Sequence, residues 1–208
     1  MAKPVAQTLS SPQERMLEAS KQLALVIGAS LFVALCARIT IPLLPLTPVP
    51  LTMQNLGVLL VGLLLGSRRG LAALALYLIG GAVGLPVFNP TGAGGMAQLF
   101  GVTGGFLLVY PLVALLAGYI FERGTKTFAR AALAALLAEI LLFAGGLSWL
   151  YGFTHSLAKA AYLGLYWFLA AEVMKVLLAA AIAFLRSFSR LVPYPTRPAA
   201  GGRRGLRS

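Results

Sequence analysis

A single cysteine, Cys36, excludes an internal disulfide, and its place within an apolar run argues against redox chemistry. The one histidine, His155, has no second His or Cys at metal-ligand spacing, so it reads as a surface residue and no metal is expected. There is no G-x-x-x-x-G-K-[ST], which excludes nucleotide hydrolysis in the P-loop manner. G-x-S-x-G, H-E-x-x-H and a Ser–His pair with an orienting acid are also missing, so the chain is not expected to be an enzyme or to carry a cofactor. Charge is scarce as well: 11% of residues are charged and 59% are hydrophobic, a balance that excludes an ordinary soluble domain. The first ~20 residues are polar and contain Glu14 and Glu18, so no cleavable signal peptide is expected.

What the chain does have is apolar runs of roughly 17–22 residues, the length that crosses a hydrocarbon core. The expected fold is therefore all-α, a polytopic bundle of six transmembrane helices in a lipid bilayer. The spans are placed at about Gln22–Ile39, Leu51–Gly66, Leu71–Gly84, Thr103–Phe121, Ala131–Leu150 and Leu163–Leu185. Residues 1–20 form a cytoplasmic arm, helical from about Pro12, 21–186 the membrane domain, and 187–208 a basic tail expected to be disordered. The net charge of +12 could suggest a nucleic acid, yet basic residues between spans more ordinarily set topology. Of the 17 Lys and Arg, only Arg38 and Lys159 fall on one side of this six-span arrangement and only Lys175 lies within a span. That asymmetry places both termini in the cytoplasm and makes nucleic acid an unneeded partner.

Three connections then share the outer face. Ile41–Pro50 carries four prolines and should be a fixed, extended loop. The Leu85–Gly105 stretch, LPVFNPTGAGGMAQLFGVTGG, is uncharged, Gly-rich and apolar, and reads as a non-helical lid folded against the bundle. Tyr151–Tyr162 reads as an aromatic, polar loop. Just before and within the first span Ser20, Ala24 and Gly28 recur every four residues, leaving a flat face for another membrane helix or for packing within the protein itself.

Ionisable groups at membrane depth usually mark a site. Glu172 and Lys175 lie three apart on one helix face, with Phe168 a turn earlier, either to hold a polar head group or to form a structural ion pair. Glu139 lies in the fifth span, where it lines the same cavity, binds a partner helix, or stays protonated. Gln54, a turn into the second span, and Asn89, in the lid, are amides able to donate and accept at once, although a membrane Gln also serves to bridge helices.

IPLLPLTPVPLTMQNLGVLLVGLLLG (Ile41 to Gly66), ALYLIGGAVGLPVF (Ala75 to Phe88) and GVTGGFLL (Gly101 to Leu108) closely resemble the BioY family, in order and in spacing. BioY proteins are the substrate-binding, or S, components of energy-coupling-factor vitamin transporters, and they bind biotin. The resemblance implies a six-helix S-component bundle in the cell membrane with an outward biotin pocket closed by loops 41–50 and 86–102. It puts the family's last-span acid and lysine on Glu172 and Lys175 and its T-x-Q glutamine on Gln54. Asn89, Gly94 and Gly95 fall in the lid block on a looser match, and Phe88 and Phe168 would cover the ligand's rings. It also implies a coupling transmembrane protein and two ATP-binding-cassette ATPases, with Ser20, Ala24 and Gly28 as the candidate docking face. Three positions depart from the pattern. Ala170-Ala171-Glu172 replaces Pro-Gly-Asp, Val102 stands where proline is usual, and Glu139 is an unexpected charge.

Overall fold

The computed structural model describes residues 11–189. The first half of the expected N-terminal arm and most of the basic tail lie outside the described residues. Helix α1 (Pro12–Arg38) runs unbroken through Ser20 and Lys21, where the arm was expected to give way to the membrane domain. It starts on a reciprocal cap: Ser11 Oγ accepts from the Glu14 amide at 3.2 Å, and the Glu14 carboxylate accepts from the Ser11 amide at 2.8 Å.

The proline-rich loop returns on itself. Strand β1 (Thr40–Ile41) pairs antiparallel with β2 (Leu51–Thr52), so this loop is a short hairpin rather than a simple extended connection. Pairing at Leu51 and Thr52 delays helix α2 (Gln54–Leu65), which therefore begins three residues later than expected. Gln54 is its first residue and not a turn inside it. Gly66 has φ +89°, and the Glu122 side chain lies where its Cβ would be, so the turn into α3 (Ser67–Ala82) admits only glycine.

The lid is not wholly irregular: α4 (Gly95–Leu99) adds a five-residue helix. α5 (Gly104–Glu122) and α6 (Phe128–Thr154) follow, and α6 runs on through the first residues of the expected 151–162 loop. His155 ends α6 in the left-handed conformation, φ 49°, and is exposed. α7 (Leu157–Ala161) and a π-helical turn, Tyr162–Tyr166, then lead through a 51° bend into α8 (Leu169–Ser189).

Each of the six expected spans overlaps one of the long helices α1, α2, α3, α5, α6 and α8. By length and hydropathy α1, α5 and α6 are able to cross a membrane, and a fourth does if the bent pair around residues 166–169 is one span; α2 has only 12 residues. Close packing depends on small residues, as it does between membrane helices generally. A methyl group at Gly62 would meet the Ala114 carbonyl oxygen at 2.5 Å, which lets α2 lie directly against α5. At this end of the bundle Ser67 donates through its amide and hydroxyl to Glu122, at 3.0 and 2.7 Å, beside Arg68, Arg69 and Arg123. Nearby, Lys126 donates to the Phe121 carbonyl at 2.5 Å, and partial loss of solvent pushes its pKa below the ordinary lysine range, against the pull of Glu122.

Candidate functional site

The opposite end of the bundle holds a cavity of about 60 Å³. Its roof comes from two of the three connections expected on the outer face and from the segment that follows the third, since no residue of the 151–162 loop lines it. Val49 and Pro50 come from the hairpin loop, Asn89 from the lid, and Gly164 and Phe168 from the segment before α8. Thr47 ties two of these, donating through Oγ1 to the Leu163 carbonyl at 2.6 Å while buried. Thr103 at the start of α5, Phe106 and Tyr110 from α5, and Leu142 and Phe143 from α6 form a largely apolar wall, and Gln54, Asn55 and Glu172 supply the polar floor.

Beneath that floor is a continuous polar network. The three-residue spacing on α8 brings Lys175 Nζ to 2.7 Å from Glu172 Oε1, and the same ammonium donates to the Thr52 carbonyl at 2.6 Å. Thr52 ends β2, so its carbonyl lies outside the α2 helical ladder. The late start of α2 also places Asn55 in its first turn, facing α6 and α8. Asn55 Nδ2 donates to Glu139 Oε2 at 2.7 Å and to Glu172 Oε2 at 2.8 Å. Asn55, Glu139, Glu172 and Lys175 are 3%, 5%, 7% and 6% exposed, so water screens none of them appreciably.

Gln54 lines the cavity and also bridges helices: its amide donates to the Tyr77 hydroxyl at 2.7 Å, and Tyr77 donates to the Val87 carbonyl at 3.2 Å. The residue therefore faces the cavity and joins α2 to α3 at once. Asn89 lines the cavity with its Oδ1 accepting from Thr91 at 2.7 Å, and Phe168 and Glu172 line it directly. Lys175 stands one layer behind the wall, reaching it through Glu172.

Phe88 departs from expectation. It packs edge-on against Tyr77, with centroids 5.4 Å apart, and fills the space left by the missing side chain of Gly81. It supports the lid from behind and does not face the cavity. Gly94 and Gly95 are also off the wall. They adopt φ +71° and +57° to start α4, and the Gly94 amide donates to Gln98 Oε1 at 3.1 Å. Their role is to shape the lid.

Asn55, Thr103, Phe106 and Tyr110 were not singled out in the sequence. Asn55 was the one with a readable signal, being a second amide directly after Gln54 in an otherwise apolar span. Among the described residues no group of His, Cys, Asp and Glu is arranged to hold a metal.

Away from the cavity, Ser20, Ala24 and Gly28 are exposed on α1. Ser20 Oγ donates back to the Leu17 carbonyl at 2.9 Å, and Gly28 has open space where a Cβ would stand. Ala24 and Gly28 join Phe32 and the α2 residues Leu60, Val61 and Leu64 in an apolar groove of about 250 Å³.

The family model described as "BioY family" matches residues 7–193. A probable biotin transporter BioY of Pyrococcus horikoshii is 35% identical over 167 residues, covering 79% of this chain and 94% of that protein. A biotin transporter BioY of Rhizobium etli is 36% identical over 165 residues, covering 73% and 83%. A crystal structure of the S-component for biotin from an ECF-type ABC transporter shares the fold, with a TM-score of 0.74 at 24% identity over 82% of this chain and 93% of that one. The chain is an all-α membrane protein that belongs to the BioY family.

Proposed function

We propose that this chain is the biotin-specific S component of an energy-coupling-factor importer in the plasma membrane, with the cavity at the Glu172 end of the bundle as its ligand site. The observation that carries this reading is the buried Glu172–Lys175 pair beneath a cavity roofed by the hairpin, the lid and the segment before α8. Biotin presents two N–H donors and a carbonyl on its ureido head, an apolar bicycle and a carboxylate tail. Glu172 accepts from the ureido N–H groups, and Gln54 and Asn89 offer neutral hydrogen bonds. Phe168 and Phe106 cover the rings, while Lys175 pairs with Glu172 from behind. Ligand pockets typically measure ~300–1,000 Å³, so a cavity of about 60 Å³ must widen by movement of segments 41–50 and 86–102 as biotin enters. Loops of this kind are commonly the parts of a fold that move on binding.

Uptake needs energy that this chain does not supply. A coupling transmembrane protein and two ATP-binding-cassette ATPases are the proposed partners, with both termini of the chain on their cytoplasmic side. The exposed Ala24–Gly28 face of α1 is the proposed dock for the coupling protein.

The test is calorimetric titration of the detergent-purified chain alone with biotin, and with riboflavin and thiamine as controls. Saturable binding of biotin only, returned chemically unchanged, is expected. Folded protein that ignores biotin but binds another small metabolite would move the assignment to that ligand. The Ala170-Ala171-Glu172 block would be the first place to seek the reason.

A further inference from the structure

The cluster beneath the cavity does not balance its charges. Glu139 and Glu172 bring two carboxylates, and Lys175 brings one ammonium. Every member is more than nine-tenths buried, and the bridge between the acids is a neutral amide. An uncompensated buried charge is among the most costly features a protein interior can carry.

Two further observations point to what is missing. Glu139 Oε1 and Asn55 Oδ1 are both buried without a hydrogen-bond partner. Both are oxygens, so the network lacks a donor hydrogen and not an acceptor. The far side of Glu139 opens on an apolar groove between α6 and α8, lined by Leu133, Leu136, Ile140, Val173 and Val176. Apart from Glu139 and Glu172 themselves that wall offers no polar group, so the groove cannot stabilise a carboxylate there.

We propose that the Glu139–Asn55–Glu172 bridge is a binding site for a single proton, carried by Glu139, which leaves Glu172 ionised against Lys175 and the buried cluster neutral. The proton supplies the absent donor and removes the excess charge together. The other groups facing Glu139 do not provide an alternative. α5 offers the Tyr110 phenol, which brings no positive charge, α2 offers the neutral Asn55 amide, and on α8 the Lys175 ammonium is already engaged by Glu172 and the Thr52 carbonyl. Neutrality also bears on ligand entry, since a net negative floor would repel an anionic ligand carboxylate. This last consequence alone rests on the biotin reading.

The experiment is infrared spectroscopy of the full, ligand-free chain in detergent at neutral pH, in water and in deuterium oxide. A carboxylic-acid carbonyl band that shifts on deuteration is expected; the remaining glutamates, Glu14, Glu18 and Glu122, are exposed and lie outside the cluster. Charge balance makes a sharper forecast: Glu139→Gln and Glu172→Gln should each abolish the band, because one carboxylate suffices to match Lys175. Absence of the band at neutral pH, or its survival in both variants, would overturn the proposal. Thermal stability that depends on sodium chloride over choline chloride, with no acid band, would overturn it in favour of a bound metal cation. Biotin affinity should then fall at alkaline pH for the native chain and stay level for Glu139→Gln. A level profile in both would remove the link to ligand entry while leaving the infrared result standing.

Discussion

Asn55 and Glu172 stand 117 residues apart in the chain and 2.8 Å apart in space, and the same amide nitrogen reaches Glu139, 84 residues away, at 2.7 Å. One short side chain thus fastens α2 to both α6 and α8 at the floor of the cavity. A hydrogen bond to a charged group such as Glu172 contributes about 1.5–3 kcal/mol, and its loss is worse when the acceptor stays buried. Asn55→Leu keeps the branched outline of the side chain and removes both donors. It should weaken biotin binding at least ~tenfold, the equivalent of about 1.4 kcal/mol, and lower the thermal midpoint in detergent. Native affinity and midpoint in this variant would show that the bridge contributes to neither.

Lys175 has a different task, because it compensates Glu172 and pins β2 through the Thr52 carbonyl. Removing one partner of a buried pair typically costs 3–5 kcal/mol, whereas removing both is often close to neutral. Lys175→Met should therefore unfold at a clearly lower temperature, and Lys175→Met combined with Glu172→Gln should recover most of that loss. Binding should behave otherwise, staying absent in the double variant because the ligand still lacks its acceptor. Thermal unfolding and calorimetry on the same three proteins separate the two roles. Recovery of biotin binding in the double variant would contradict a ligand contact by Glu172.

How much of this was legible in the sequence follows the range of the interactions. The Glu172–Lys175 pair was readable because helix geometry alone joins residues three apart, and its burial repeats what an apolar run predicts. The gathering of the three connections at one end was readable from where Lys and Arg are absent. The Asn55 bridge was not, because no local pattern joins positions separated by a whole bundle. Phe88 was misplaced for a related reason: GLPVF marks an apolar lid, but whether its ring faces the ligand depends on the space above Gly81 and the edge of Tyr77. The short helix α4 was hidden by its own glycines, which weaken any helical reading although two of them supply the left-handed start.

The lid is anchored at its far end by Trp149, whose indole N–H donates to the Gly101 carbonyl at 2.9 Å across 48 residues. Trp149 also packs into the space left by Gly105 on α5, so the ring has a structural and a tethering part. Trp149→Phe retains an aromatic ring and deletes the donor, a change of about 1 kcal/mol for a neutral hydrogen bond. The expected effect is faster amide exchange and faster protease cleavage between residues 86 and 102, with a thermal midpoint close to native. Biotin should restore protection by drawing the lid closed. Unchanged exchange in the lid would show that it is held by its apolar contacts alone.

The small-residue face of α1 allows partner docking and internal packing to be told apart, because Ala24 and Gly28 are exposed and Gly28 has nothing within 4 Å of a notional Cβ. A face that packed within the protein would be ruined by bulk, whereas this one should accept it. Ala24→Leu with Gly28→Leu fills the groove against Leu60, Val61 and Leu64 without pressing on the cavity at the far end of α2. The chain should fold, keep its thermal midpoint and bind biotin as before. It should nevertheless fail to co-purify with the coupling protein and its ATPases, since close helix approach needs small side chains where backbones meet. Intact co-purification would move the docking surface elsewhere. Loss of biotin binding would mean that α1 bulk is transmitted through α2 to Gln54 and Asn55, the two residues at which that helix begins its contact with the site.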